Sequence, residues 1–279
     1  MSATGEVTPT VVCVLGAPRS GTSLTTHILS LNGVYLGLDD DLIQPDSRLN
    51  PAGFWEHEGI VRLNERVMES LGGSWERPPE MSPGWQGSEE LSALREEAGS
   101  LVEETFVGHG LWGWKDPRNS LTLPFWQSLI PNMRYVICLR NPIDVAASGK
   151  SAIGAPAQRT YELWSKYLAS ALVNTSGKPR VFVSYEEYFT DWRQAVERLA
   201  RFIGREGMAI RIDKLREAIS DRLRHHRTTL GALACDKSVP VETAALYLLA
   251  EQLRAMAASG GGVPSGLQEA VDLYAARLM

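Results

Sequence analysis

The stretch VVCVLGAPRSGTSL, residues 11–24, constrains this chain more than any other. Val11–Leu15 is an apolar, β-branched run that reads as a buried strand of a parallel sheet. Gly16–Ser23 then fits the nucleotide-phosphate loop G-x-x-x-x-G-K-[ST] at every required position except Thr22, where lysine is expected. Leu24, Ile28 and Leu31 follow at helical spacing. A strand, a Gly-rich turn and a helix together let backbone N–H groups and the helix dipole cradle an anion. The cation in this loop is Arg19, two residues before Gly21, so the charge sits mid-turn and the Mg-linked triphosphate geometry is removed. The bland alternative is a Gly-Pro turn joining a strand to a helix.

Three more runs read as strands: Leu111–Trp114, Arg134–Leu139 and Arg180–Ser184. Alternating with helical patterns, they predict an α/β fold with a P-loop-like central parallel sheet of about four to five strands, flanked by helices. At 279 residues, 44% hydrophobic and 22% charged, the chain suits one packed domain over residues 1–279. Residues 1–10 are expected to be a disordered N-terminus. Residues from about 206 to 279 are expected to form a helical extension or lid. A net charge of −5 argues against nucleic acid as a partner. No run reaches the length of a membrane span, the first ten residues lack a signal pattern, and a cytoplasmic protein is expected. Cys13 and Cys138 lie in apolar runs, and with Cys235 they show no metal-ligand spacing.

Between the strands, Ser88–Phe106 places Leu91, Leu94, Ala98, Leu101, Val102 and Thr105 on one helix face and reads as packing. Arg77–Gly87 reads as a loop at the rim of a site. Two C-terminal helices, about Val241–Ala258 and Pro264–Leu278, could close over a site, pack, or face a second copy of the chain in a homodimer.

The segments GAPRSGTS (16–23), GWKDPR (113–118), YVICLRNPIDVAAS (135–148) and VFVSYEEY (181–188) together resemble the sulfotransferases that use 3′-phosphoadenosine 5′-phosphosulfate (PAPS), in order, from about residue 11 to 205. The P-R-S-G-T loop and the W-K-D-P-R segment are similar to those of a bacterial branch. The resemblance implies PAPS as donor, PAP as product, no metal, and a small-molecule hydroxyl acceptor: carbohydrate, lipid or natural product. It assigns Arg19, Ser20, Gly21, Thr22 and Ser23 to the 5′-phosphosulfate, Arg140 and Ser148 to the 3′-phosphate, and counts Ala17 and Pro18 among the donor-binding residues. An arginine fork plus a hydroxyl suits a terminal dianionic phosphate. Tyr185 resembles the residue near adenine and reads equally as a core tyrosine.

Sulfuryl transfer requires a base on the acceptor and a cation where charge develops. By the same resemblance Lys115 assists the leaving group and Arg19 shares that work; a salt bridge from Asp116 to Lys115 or Arg118 is the structural alternative. NPAGFWEHE (50–58) looks like a bacterial sulfotransferase segment whose glutamate faces the acceptor. Glu56 is thus the first candidate base and His57 the second, while Glu56 and Glu58 could instead start the helix Gly59–Leu71. The basic segment 211–227 could close over the donor, with Arg224 the suspected contact. The rival classes are a P-loop kinase or nucleotidase, and a PAP- or nucleotide-binding module without chemistry.

Overall fold

The computed structural model describes residues 8–47, 50–206, 212–219, 227–259 and 263–279. Its sheet is wholly parallel: β1 (Thr10–Leu15) lies between β2 (Leu111–Lys115) and β3 (Met133–Leu139), and β4 (Arg180–Ser184) pairs with β3. Successive side chains of a strand face opposite sides of the sheet. Val11, Cys13 and Leu15 therefore enter one core and Val12 and Val14 another, which is why β1 is apolar throughout. The fit between β1 and β2 is close: a Cβ on Gly113 would stand 2.1 Å from the Val12 carbonyl oxygen.

The helices, in chain order, are α1 (Thr22–Leu31), α2 (Glu58–Ser70), α3 (Ser92–Phe106), α4 (Asn119–Leu129), α5 (Pro142–Ile153), α6 (Ala157–Asn174), α7 (Glu187–Thr190), α8 (Trp192–Phe202), α9 (Ile212–Ala218), α10 (Leu230–Cys235), α11 (Val241–Ala258) and α12 (Ser265–Ala276). Residues of α2, α3, α4, α6, α11 and α12 join the first core, and those of α1, α8 and α9 join the second. The helix expected from Ser88 starts at Ser92, because Glu89–Leu91 forms a separate 3-10 turn. Leu91, Leu94 and Ala98 are buried in its expected apolar face.

From β1 the chain passes to β2 on one side, and β3 lies on the other. The crevice outside the carboxyl ends of β1 and β3 is thus a topological switch point, where open α/β sheets bind ligands. Gly16 leaves β1 there and Arg140 leaves β3.

The C-terminal helices pack on the body of the fold. Arg180, at the start of β4, donates to both carboxylate oxygens of Asp272 on α12, at 2.7 and 2.9 Å. Arg254 of α11 reaches Glu187 at 2.7 Å. Asp272→Asn strands the buried Arg180 guanidinium and is expected to lower stability by about 3 kcal/mol in urea denaturation. The double variant Arg180→Met/Asp272→Leu should recover most of that loss; a single-variant loss below about 1 kcal/mol would show a solvated, dispensable pair.

Candidate active site

Arg19 and Gly21 bend the loop after β1, with φ of 68° and 87°. Gly21 has a second constraint, since a Cβ there would meet the Tyr185 ring at 2.5 Å. As residue before the first turn of α1, Gly21 offers no side-chain cap, which leaves first-turn N–H groups open to a ligand.

A cleft of about 740 Å³ opens over this turn, lined in part by Arg19, Gly21, Thr22, Ser23, Arg140, Ser148 and Tyr185. Residues separated by more than a hundred positions meet here. Arg19 Nε donates to Ser148 Oγ at 3.1 Å, and Arg140 Nη1 donates to the Arg19 carbonyl at 3.0 Å. The Arg140 guanidinium lies 4.2 Å from the centre of the Tyr185 ring, so this buried tyrosine both packs and borders the cleft. Burial, and then the charge of Arg140, push the Arg19 pKa down. Ser20 Oγ and Arg140 Nε are buried without a hydrogen-bond partner among the described residues. Converging cations, open N–H groups and unmatched donors form a site suited to an anion.

Ala17 and Pro18, the other two residues expected at the donor, line a second cavity beside the cleft. The turn at Arg19 separates residues before it from those after it.

Lys115, at the end of β2, is 1% exposed. Its ammonium donates to Ser23 Oγ at 3.1 Å and to Glu56 Oε1 in a short contact. Through Ser23 this buried ion pair adjoins the cleft. Burial raises the Glu56 pKa above its ordinary 4.5, and the Lys115 charge opposes that rise. Asp116 does not pair with Lys115. One of its oxygens accepts from Arg118 N and Nη1, both at 3.0 Å, and the other accepts from Asn64 at 2.8 Å.

His57, the second candidate base, does not join the Lys115–Glu56 pair. It is the residue before α2, and its ring lies beside Phe106, 5.8 Å between centres, while Glu56 turns to Lys115. Consecutive side chains here point to different sides. Both His57 ring nitrogens are buried without hydrogen-bond partners among the described residues, with Asp41 3.9 Å away, and the pKa is pushed down by burial. Neither Glu56 nor Glu58 caps α2 by a side-chain hydrogen bond; Glu58 begins it.

Sequence reasoning missed His27, which stacks on Trp55 at 4.1 Å and 13° in the cleft wall. Its spacing from Ser23 and Ser30 on one face of α1 was the available signal. It also missed Asn64, which receives Thr122 Oγ1 at 2.7 Å and Trp126 Nε1 at 2.8 Å while bonding Asp116 and Asn119. The rim loop is pinned at its start: Tyr167 donates to the Trp75 carbonyl at 3.0 Å, and Arg159 donates to that of Glu76. Arg222, Arg224, His225 and His226 lie outside the described residues. No group of three or more His, Cys, Asp or Glu is placed to hold a metal, and no helix is long and apolar enough to cross a membrane, among the described residues.

Residues 9–209 match the profile of the Sulfotransferase family. The chain belongs to the sulfotransferase family. The sequence matches none of the curated proteins compared with it. Among solved structures, this sulfotransferase is similar to a sulfotransferase domain from the curacin biosynthetic pathway, at 14% identity and TM-score 0.47, covering 92% of this chain and 99% of that one. It is also similar to the sulfotransferase domain of the Synechococcus PCC 7002 olefin synthase, at 16% identity and TM-score 0.48, covering 93% and 98%. A retinol dehydratase solved with androsterone and PAP matches at 15% identity and TM-score 0.40, covering 97% and 81%.

His57 supplies a test of this geometry. A buried histidine with a depressed pKa stays neutral when folded, while the unfolded chain takes up a proton below about 6.5. Stability is then lost as pH falls below about 6.5. His57→Met should flatten that slope, hold stability within about 1 kcal/mol at pH 7.5, and keep sulfotransferase activity. Thermal unfolding across pH, with activity alongside, checks it; loss of activity in a folded variant would return His57 to the site.

Proposed function

We propose that this sulfotransferase takes its sulfuryl group from PAPS, passes it to a hydroxyl of a small-molecule acceptor, and releases PAP. One observation carries the reading: Arg19, Arg140 and Ser148 converge on the cleft that the Lys115–Glu56 pair adjoins through Ser23. A donor with two separate anionic ends needs two cationic subsites, and a transfer step needs a base and a cation next to one of them.

In this reading Arg140 and Ser148 hold the 3′-phosphate, and the turn Arg19–Ser23 holds the phosphosulfate. Unpartnered Ser20 Oγ and Arg140 Nε fit such anions. PAPS supplies an activated sulfuryl group. Glu56 takes the proton of the acceptor hydroxyl as the new O–S bond forms. Lys115, beside the first turn of α1, donates to the phosphate oxygen that keeps the electron pair of the broken O–S bond. Arg19 shares that charge. A base must be ionised to act, so burial of Glu56 sets an acid limit on the rate above the ordinary carboxylate range.

The pH profile of kcat/KM is therefore expected to rise through an apparent pKa above 4.5. Glu56→Gln should remove that limb and lower kcat by about a hundredfold or more. Calorimetry separates binding from chemistry. PAP should bind without Mg²⁺ at least about tenfold more tightly than ATP, with Arg140→Ala weakening it by about tenfold or more and Lys115→Ala leaving it nearly unchanged while abolishing transfer. Equal affinity for PAP and ATP would overturn the donor assignment, and parallel behaviour of the two variants would overturn the division of roles.

A further inference from the structure

The second cavity, about 380 Å³, lies beside the cleft and shares Arg19 with it. On α5 the separation is a single residue: Ser148 borders the cleft, while Val145 and Gly149 border the cavity. The far walls come from the Trp75 loop and from Leu163 and Trp164 of α6. Tyr247 fixes the buried Trp164 ring in an edge contact at 5.9 Å. Three hydrogen bonds from α6 hold the loop in place, from Arg159 to the Glu76 carbonyl, Tyr167 to the Trp75 carbonyl and Lys166 to the Pro78 carbonyl. The cavity is thus preformed, within the size range of small-molecule sites.

Three of its polar side chains are already engaged, and the charged groups of Glu76 and Arg77 are exposed at the loop wall. Thr160 Oγ1 donates to the Pro156 carbonyl at 3.1 Å, Arg159 pairs with Glu162 at 2.9 Å, and Arg19 is held by Ser148. A polyol reaching past that wall would lose water from each hydroxyl against Val145, Ile153, Leu163 and Trp164, which offer little to replace it. An apolar body would meet aromatic and aliphatic walls.

We infer that this cavity takes the acceptor and selects a compact, largely apolar alcohol or phenol over a sugar. The inference rests on the sulfuryl-transfer reading above and deepens it. Arg19, common to both spaces, stands where the acceptor hydroxyl and the donor would meet.

Gly149 allows a direct test, because a Cβ there would make only ordinary contacts, 3.6 Å to Thr160 Oγ1 and 3.7 Å to Ala155 Cβ, on the cavity wall. Gly149→Leu fills the space from a helix interior that tolerates leucine. With the full chain, 2-naphthol and methyl α-glucoside serve as probes, by calorimetry with and without PAP and by turnover with PAPS. Wild type should bind and sulfate 2-naphthol at least about tenfold better than the glucoside. Gly149→Leu should weaken 2-naphthol by about tenfold or more with PAP affinity within about twofold, and Gly149→Ala should fall between. If Gly149→Leu loses PAP binding through misfolding, Gly149→Ala decides. The inference is overturned if the glucoside binds as well, if 2-naphthol fails to bind below about 1 mM, or if the folded variants leave its affinity unchanged. Wild type that binds 2-naphthol in a Gly149-sensitive way but not PAP would sink the donor assignment alone and support the cavity's selectivity.

Discussion

Arg140 donates to the carbonyl of Arg19, and that hydrogen bond ties together the ends of two neighbouring parallel strands. Everything at the cleft depends on this junction. It brings two guanidinium groups close enough for one to depress the pKa of the other, an arrangement favourable mainly when an anion lies between or beside them. The Tyr185 ring, pressed against Gly21 on one side and under Arg140 on the other, fills the space behind the junction. The glycine's left-handed conformation and the ring's close approach are one constraint seen from two sides.

The buried chemistry one layer down has a different logic. A lysine and a glutamate removed from water are destabilising unless they meet each other and other donors or acceptors. Lys115 meets Glu56 and Ser23, while Asp116 is held by Arg118 and Asn64. Asn64 uses both ends of its amide, bonding Asp116 and Asn119 with its nitrogen and accepting from Thr122 and Trp126 with its oxygen. This network gives each buried charge its own partners, so adjacent residues 115 and 116 serve separate ion pairs. Such separation leaves the Lys115 ammonium to Glu56 and to Ser23, in the first turn of α1.

Much of the cleft was legible because local sequence sets local backbone. A β-branched run, a glycine-bounded turn and a helical repeat dictated strand, loop and helix around Arg19–Ser23, and Arg140 and Ser148 sat at readable places after β3. What was not legible concerned direction. Glu56 and His57 are neighbours with equal credentials as bases, yet one reaches Lys115 and the other turns to Phe106. Trp55, at φ 59°, takes a backbone conformation rare for a tryptophan and stacks on His27, which no local pattern announces. Ala17 and Pro18 fell on the far side of the turn for the same reason: side-chain direction follows dihedral angles that tertiary packing selects.

By itself the sequence determined the parallel α/β framework and the strand, turn and helix around Arg19–Ser23, since these follow from periodicity and glycine placement within short segments. Only the tertiary structure decided which carboxylate meets Lys115, that Asp116 meets Asn64, and how α5 divides the cleft from the second cavity. Those outcomes depend on contacts between residues about fifty to a hundred and thirty positions apart, where burial and the need to partner every buried charge choose among arrangements that local sequence leaves equivalent.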